Sequence, residues 1–179
     1  MAIEAHNYYT IGCSYLETEQ YDSALLSFAK ASRLNPDYPL LRSRIALTFM
    51  NLGDRTSAMA LAEGLVRSSP KDANAWLTLG EIAWICQMWE RAFPAATRAF
   101  ELDSATKENM FLYALMLGDF GRLKEHRELL ERLVAQHPKY LHPRLDLAKV
   151  ELLDGDYTQG WKNFEARFWS LTKIYKTGI

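Results

Sequence analysis

The sequence predicts an all-α fold, a right-handed solenoid of five helix-turn-helix repeats, on three observations. The 179-residue chain repeats itself with a period of 34 residues, and no insertion interrupts the register. Within each repeat, small and apolar residues recur at the spacing of one helix face. Three of the repeats close on a proline, as at Asn35-Pro36, which stops a helix. The eighth place of the successive repeats illustrates the register, since it holds Gly12, Ala46, Gly80, Ala114 and Ala148.

Two helices are predicted in the first repeat. Tyr8, Ile11, Gly12 and Tyr15 lie at i, i+3, i+4 and i+7, which indicates one face of the first helix. The second helix is predicted over about residues 21–34. Small residues at the eighth and twentieth places let the two helices approach closely, because a bulkier side chain would cost about 1–3 kcal/mol in strain. A single helix pair cannot bury both of its faces, so the repeats must stack on one another.

The later repeats show the same signals in the same order. Pro39 can open the first helix of the second repeat, where a missing amide donor does no harm. His126 occupies a place where a small residue is usual, so we expect wider helix packing in the fourth repeat. Helix stops are predicted at Pro36, Pro70 and Pro138. Turns inside the repeats are predicted at Gly53, Gly121 and Gly155.

A period of 34 residues with small residues and a closing proline in these places resembles the tetratricopeptide repeat. The resemblance covers residues 5–174 and implies one domain. A short tail, 175–179, follows and is expected to lead to a further domain. The resemblance also implies a scaffold that binds a protein or peptide partner. The predicted repeats are 5–38, 39–72, 73–106, 107–140 and 141–174.

Composition narrows the function classes. The formal net charge is −1 and no long block of one sign exists, which argues against a nucleic-acid footprint. No apolar run approaches the 18 residues of a membrane span, and the N-terminus lacks the pattern of a secretory signal. Cys13 and Cys86 are expected to be reduced thiols in a cytoplasmic protein.

Catalytic, metal and cofactor sites are not predicted. The four histidines, His6, His126, His137 and His142, show no zinc-binding spacing, and the glycines follow the period instead of forming a phosphate loop. We therefore expect a chain that is not an enzyme by itself and that takes no cofactor.

A concave groove is the first candidate binding site. In the resemblance, it is lined by the first helix of each repeat, and helical geometry assigns the second, fifth, ninth and twelfth places to it. Superhelical winding that closes the groove is the alternative interpretation. Trp84 and Phe111 are expected to be accessible, and Trp76 is expected to be buried between the helices of its own repeat. The candidate groove residues are Tyr9, Cys13, Leu16, Leu47, Met50, Leu77, Glu81, Trp84, Phe111 and Leu115.

The groove differs from that of chaperone-binding arrays in the same family. Those arrays resemble each other in lysines and asparagines that clamp a C-terminal carboxylate. Here the corresponding places hold Tyr9, Cys13, Arg44, Asn74 and Thr78, so the clamp is not expected.

An aromatic stripe on the last helix is the second candidate site. A terminal repeat normally ends in a polar face, and leaving several large apolar side chains exposed is unfavourable. Trp161, Phe164 and Phe168 align on one face, and Trp169, about 100° beyond, should face outward. A following domain, a tail or a second copy in a homodimer is expected to cover this interface, which comprises Trp161, Phe164, Phe168, Trp169, Leu171 and Tyr175.

The string that begins at Gly155 and ends at Phe168 resembles a junction motif. It reads Gly-Asp-Tyr-x-x-Gly-Trp-x-x-Phe-Glu-x-Arg-Phe and is similar to the end of the repeats in bacterial proteins that continue into a heptosyltransferase-like glycosyltransferase domain. The resemblance implies that the chain is the N-terminal scaffold of a larger, glycosyltransferase-linked protein. A free-standing adaptor or chaperone that binds an apolar segment in the groove is the alternative.

Overall fold

The computed structural model describes residues 2–168, and all regular structure in that range is helical. The predicted all-α fold is confirmed. Of the predicted terminal interface, Trp169, Leu171 and Tyr175 lie outside the described residues. The helices are α1 (Ala2–Glu17), α2 (Tyr21–Leu34), α3 (Leu41–Asn51), α4 (Arg55–Ser68), α5 (Ala73–Ile85), α6 (Trp89–Leu102), α7 (Lys107–Asp119), α8 (Leu123–Gln136), α9 (Leu141–Leu153) and α10 (Tyr157–Phe164), followed by a 3₁₀ turn (Glu165–Phe168).

The chain forms two compact units, one up to Asp103 and one from Ser104. In the first unit, α1 packs on α2, α3 on α4 and α5 on α6. Its core contains two clusters in which alanines surround a few large side chains. One cluster holds Ala24, Phe28, Ala31 and Leu41, and the other holds Ala46, Met50, Ala58, Ala62 and Ile82.

Gly12 explains how α1 and α2 come so close. A Cβ atom on this residue would lie 2.4 Å from the ring of Phe28, which is fully buried. Burying a phenylalanine contributes about 1.5–3 kcal/mol, so the absent side chain at Gly12 makes a favourable contact possible.

Trp76 departs from its predicted place. It is only partly buried, and its Nε1 donates a hydrogen bond of 2.9 Å to the carbonyl oxygen of Pro70 in the preceding loop. The expectation that it is buried between the helices of its own repeat is wrong, because the indole N–H finds its partner outside the helix pair.

One place in each repeat requires a left-handed backbone. Gly53, Gly121 and Gly155 have φ values of 84°, 73° and 85°, and each follows the first helix of its repeat. In the first and third repeats, the same place is occupied by Glu19 and Gln87, both at φ 58°. Side chains with a Cβ atom are strained there, so these two turns are less favourable than the three that use glycine.

The second unit contains two helix pairs, α7 with α8 and α9 with α10. The α7–α8 pair is packed by fully or largely buried apolar side chains, among them Met110, Leu117 and Leu129. The α9–α10 pair buries polar groups instead. Asn163 Nδ2 donates to both carboxylate oxygens of Glu151, at 3.0 and 2.8 Å, and Arg144 donates to Asn163 Oδ1 at 2.8 Å.

Candidate protein-binding surfaces

The first helices of the three N-terminal repeats lie next to each other in the first unit, because α3 contacts both α1 and α5. Most predicted groove residues of this unit are partly exposed: one side packs on the core and the other remains accessible. We call this surface the inner face, and it comprises Tyr9, Cys13, Leu16, Leu47, Leu77, Glu81 and Trp84.

Met50 belongs to the core, so the prediction that it lines the groove is wrong. Only 8% of its surface is exposed, and it packs with Ala46, Ala62 and Ile82. The Sγ atom of Cys86 lies 3.9 Å from its sulfur and covers it from the next repeat. The flexible thioether of methionine fills an interior gap here, as methionine commonly does.

Aromatic rings build one end of the inner face. The Tyr9 ring lies 4.8 Å from the ring of Tyr38 and 6.0 Å from that of Phe28. The Tyr38 hydroxyl is 2.6 Å from Nδ1 of His6, so this tyrosine is held from both sides. Tyr9 is therefore fixed in place before any partner arrives, which reduces the entropy lost on binding.

Arg44 adds a positive charge to the middle of the inner face. The side chain is exposed and hydrogen-bonds the Tyr9 hydroxyl, with Cys13 and Glu81 nearby. Desolvation by burial is the largest single effect and opposes the charge of Arg44. The hydrogen bond to Tyr9 and the attraction to Tyr9, Cys13 and Glu81 together outweigh it, so the pKa of the guanidinium is raised. Burial also raises the pKa of Tyr9, against the opposing effect of Arg44. At neutral pH the pair is a charged guanidinium donating to a neutral phenol.

The second unit carries the remaining two predicted groove residues, Phe111 and Leu115, both partly exposed. The Phe111 ring lies 5.5 Å from Tyr140 in an edge-on arrangement and 6.3 Å from His142. The ammonium group of Lys107 is 5.1 Å from the centre of the Tyr140 ring. A cation–π contact of this kind is worth about 0.5–1 kcal/mol at an exposed site.

Sequence reasoning did not select Tyr38 and Tyr140 for these surfaces. Each occupies the last place of its repeat, in the loop before the next first helix, and each contacts the aromatic residue at the fifth place, Tyr9 or Phe111. The 34-residue period could have identified them, because the two tyrosines are 102 residues, or three periods, apart and therefore occupy the same place of the repeat.

The terminal aromatic stripe is largely exposed. Trp161 and Phe168 are 54% and 47% exposed, and Phe164 is partly buried. The expected alignment therefore does not turn Trp161 and Phe168 towards the preceding helices. Gly160, Asn163 and Ala166 are buried instead, since small or polar residues on this side fit against α9.

Arg167 organises the stripe. Its guanidinium lies 4.2 Å from the centres of both the Phe164 and Phe168 rings, and it donates to the Phe164 carbonyl oxygen at 3.1 Å. Trp161 packs edge-on against Phe164 at 5.7 Å. Tyr157, one turn before Trp161, is 63% exposed. We call the set Tyr157, Trp161, Phe164, Arg167 and Phe168 the aromatic face.

Two further features were compared with the part of the chain that the structure describes, metal-binding groups and membrane-spanning helices. Residues 2–168 contain no group of three or more His, Cys, Asp or Glu side chains placed to hold a metal ion. Among the helices of that range, none has both the length and the apolar character needed to cross a membrane.

Comparison with known proteins identifies the class of fold. Residues 15–82 match the family model for the tetratricopeptide repeat. A thermophilic tetratricopeptide-repeat protein of Thermus thermophilus superimposes with a TM-score of 0.77 at 19% identity, over 92% of this chain and 90% of that one. These findings establish a tetratricopeptide-repeat fold. Proteins with this fold mediate protein–protein interactions, and the fold is generally a non-catalytic scaffold.

Two further similarities support the same class. YrrB, a TPR protein with an unusual peptide-binding site, has a TM-score of 0.59 at 16% identity, over 90% of this chain and 83% of that one. The Small glutamine-rich tetratricopeptide repeat-containing protein 2 of Mycosarcoma maydis is 26% identical over 96 residues, which is 54% of this chain. The chain spans about a quarter of the length of that relative, 27%.

Proposed function

We propose that the protein is a non-catalytic scaffold that binds a segment of a partner protein on the inner face of its first unit. One observation carries the proposal: Leu47 on α3 and Leu77 and Trp84 on the adjacent helix α5 are partly exposed, and the charged Arg44 of α3 lies near Glu81 of α5. Apolar contacts would supply affinity, and the guanidinium would fix the position of an acceptor group on the partner. The peptide-binding site named for YrrB is consistent with such a role.

Selection from a random peptide library tests this proposal. We expect the selected peptides to lose at least tenfold in affinity on Arg44→Glu, because this exposed side chain would repel the group that it now attracts. Leu26→Ser, on the second helix α2 and 67% exposed in the native chain, is the matched control and should change affinity less than twofold. Equal effects of the two substitutions would contradict a site on the inner face.

The scaffold has two possible settings. In the first, the chain is the N-terminal part of a bacterial glycosyltransferase-linked protein, and the inner face presents a partner or acceptor to a following domain. The junction-like string from Gly155 to Phe168 supports this setting. In the second, the chain is a free-standing cytoplasmic adaptor. Reading the gene beyond Ile179 distinguishes them, because a coding sequence for an α/β glycosyltransferase domain supports the first and its absence supports the second.

A homodimer through the aromatic face is a second proposal. The aromatic residues Tyr157, Trp161, Phe164 and Phe168 are spaced by four, three and four positions, a pattern that reads the same in both directions. Two copies crossing antiparallel about a twofold axis would bring Trp161 of each onto Phe164 of the other, and Tyr157 onto Phe168. Such a self-complementary patch is what an isologous dimer requires.

Sedimentation of the purified chain tests the dimer. We expect a concentration-dependent dimer that Trp161→Glu abolishes, because the substitution places two carboxylates at the centre of the contact. Leu26→Glu, which adds the same charge at an exposed position of the first unit, should leave the dimer intact. A wild-type chain that remains monomeric at millimolar concentration would overturn this proposal and leave the inner-face proposal untouched.

A further inference from the structure

A pocket in the second unit lies apart from the inner face and the aromatic face. It has a volume of about 290 Å³ and lies between the start of α8 and the end of α9. Leu123 and Leu153, which form its apolar walls with Val150, are 64% and 87% exposed. The seven lining residues are Leu123, Lys124, His126, Arg127, Val150, Leu153 and Asp154.

His126 forms the polar part of this pocket. The side chain is only 8% exposed. Its Nδ1 lies 2.7 Å from the carbonyl oxygen of Ala114, which can only accept, so Nδ1 carries the proton. A Cβ atom built on Gly118 would lie 3.1–3.3 Å from Cε1, Nδ1 and Cγ, so this side of the ring faces α7. The opposite side, Nε2 and Cδ2, is the one that can reach the pocket.

Nε2 of the neutral ring is therefore a hydrogen-bond acceptor beside an apolar pocket. Within residues 2–168, the hydrogen bond to Ala114 is the one that His126 makes. Nε2 is open to the pocket, because it is not one of the fully buried side-chain atoms in residues 2–168 that lack a hydrogen-bond partner. A ligand that offers a donor there can hydrogen-bond this acceptor.

The charged groups at the rim are already engaged with each other. Arg127 donates to Asp154 at 2.6 Å and to Glu131 at 2.9 Å, which ties α8 to the end of α9. The side chain of Lys124 is 90% exposed and points its charge at solvent near Glu128. The charged groups at the rim are thus paired or directed at solvent and do not favour an ionic ligand. A ligand would instead contact the apolar walls and hydrogen-bond Nε2.

We infer that this pocket binds the phenol ring of a tyrosine side chain from a partner protein. A volume near 290 Å³ is at the lower end for small-molecule sites and suits one aromatic ring better than a larger ligand. The ring packs between Leu123, Val150 and Leu153, and its hydroxyl donates to Nε2 of His126. The site is independent of the proposed inner-face function, because it uses none of the same residues.

Nuclear magnetic resonance titration with N-acetyltyrosinamide and N-acetylphenylalaninamide tests the inference. The two probes differ only in the hydroxyl group, so we expect tyrosinamide to bind about fivefold more tightly, the usual contribution of one neutral hydrogen bond. The Nε2 resonance of His126 should move with tyrosinamide and stay unchanged with phenylalaninamide. Equal affinities, or binding of tyrosinamide that leaves the Nε2 resonance unchanged, would overturn the inference.

Two variants complete the test. Leu153→Ser removes an exposed wall without touching the core and should weaken both probes about equally, whereas Leu26→Ser in the first unit should weaken neither. His126→Leu should abolish the preference for tyrosinamide. Should that variant fail to fold, the wild-type preference and Leu153→Ser still decide the matter. Binding of free 4-methylphenol without binding of tyrosinamide would contradict a protein side chain as the occupant.

Discussion

The fourth and fifth repeats solve the same packing problem with opposite chemistry. Both lie in the second unit, and both build a helix pair from the same places of the 34-residue period. At the fourth, eleventh and twenty-third places, the fourth repeat buries Met110, Leu117 and Leu129, whereas the fifth holds Arg144, Glu151 and Asn163. The backbone pattern therefore does not require an apolar core at these places, provided that the polar groups hydrogen-bond one another.

A second exchange concerns the twelfth and twentieth places. The fourth repeat has Gly118 opposite His126, and the fifth has Leu152 opposite Gly160. A Cβ atom on Gly160 would lie 2.7 Å from the Leu152 side chain, and one on Gly118 would lie 3.1 Å from the His126 ring. Each pair contains one large residue and one glycine, so the helix approach depends on the sum of the two volumes and not on which helix carries the bulk.

The largest expected effect comes from breaking the polar set. Asn163→Leu would leave the carboxylate of Glu151, which is 4% exposed, buried without its donor. We expect a loss of about 3 kcal/mol in the free energy of unfolding, because a buried charged acceptor left without its donor costs more than the roughly 1–3 kcal/mol of a neutral one. Urea denaturation measures the loss.

The matched control replaces the three polar residues of the fifth repeat by the apolar residues that the fourth repeat has at the same places. Arg144→Met, Glu151→Leu and Asn163→Leu together should restore most of the stability, because no buried charge remains. A triple variant no more stable than the single one would show that the two solutions are not interchangeable.

Exchanging the glycine partners should have an intermediate effect. Gly160→His alone should destabilise by about 1–3 kcal/mol, since the new side chain meets Leu152. Adding Leu152→Gly recreates the pair found in the fourth repeat and should recover at least half of that loss. A double-mutant cycle measures the coupling, and strictly additive effects would refute the volume-sum argument.

The smallest effect extends the comparison to the turns. Gln87→Gly places glycine at a residue with φ 58°, as the second, fourth and fifth repeats already do. We expect a gain of about 0.5–1 kcal/mol, because relief of left-handed strain exceeds the entropy cost of glycine. Thermal unfolding would show the gain, and Gly155→Ala should have the opposite sign. A destabilised Gln87→Gly chain would mean that the glutamine side chain compensates for the strain.

The period accounts for what the sequence could predict. It indicates the all-α fold and the turn glycines, since these depend on local spacing. It could not show that Met50 is covered by Cys86 from the next repeat, or that Trp76 bonds the preceding loop, because both depend on contacts between repeats. The orientation of the last helix was also not predicted. A polar residue such as Asn163 is expected on the surface, and only its hydrogen bonds to Glu151 explain why it is buried.

The expectation of wider packing around His126 rests on one place of the period and stays a prediction. A large residue at a place that is usually small suggests separated helices when it is considered alone. The structure shows that Gly118, at another place of the same repeat, makes room for the ring. The residue at one place of the period therefore predicts which helix face it lies on. The side-chain volume that fits there depends on the residue at the facing place as well.

The central claim is that partners bind on the inner face of the first unit, and photo-crosslinking tests it most directly. A library-selected peptide carrying a benzophenone group would be irradiated with the protein, and the adducts would be located by mass spectrometry. The account predicts adducts on α1, α3 and α5, close to Leu47, Leu77 and Trp84. Adducts concentrated on the second helices α2, α4 and α6 would contradict it.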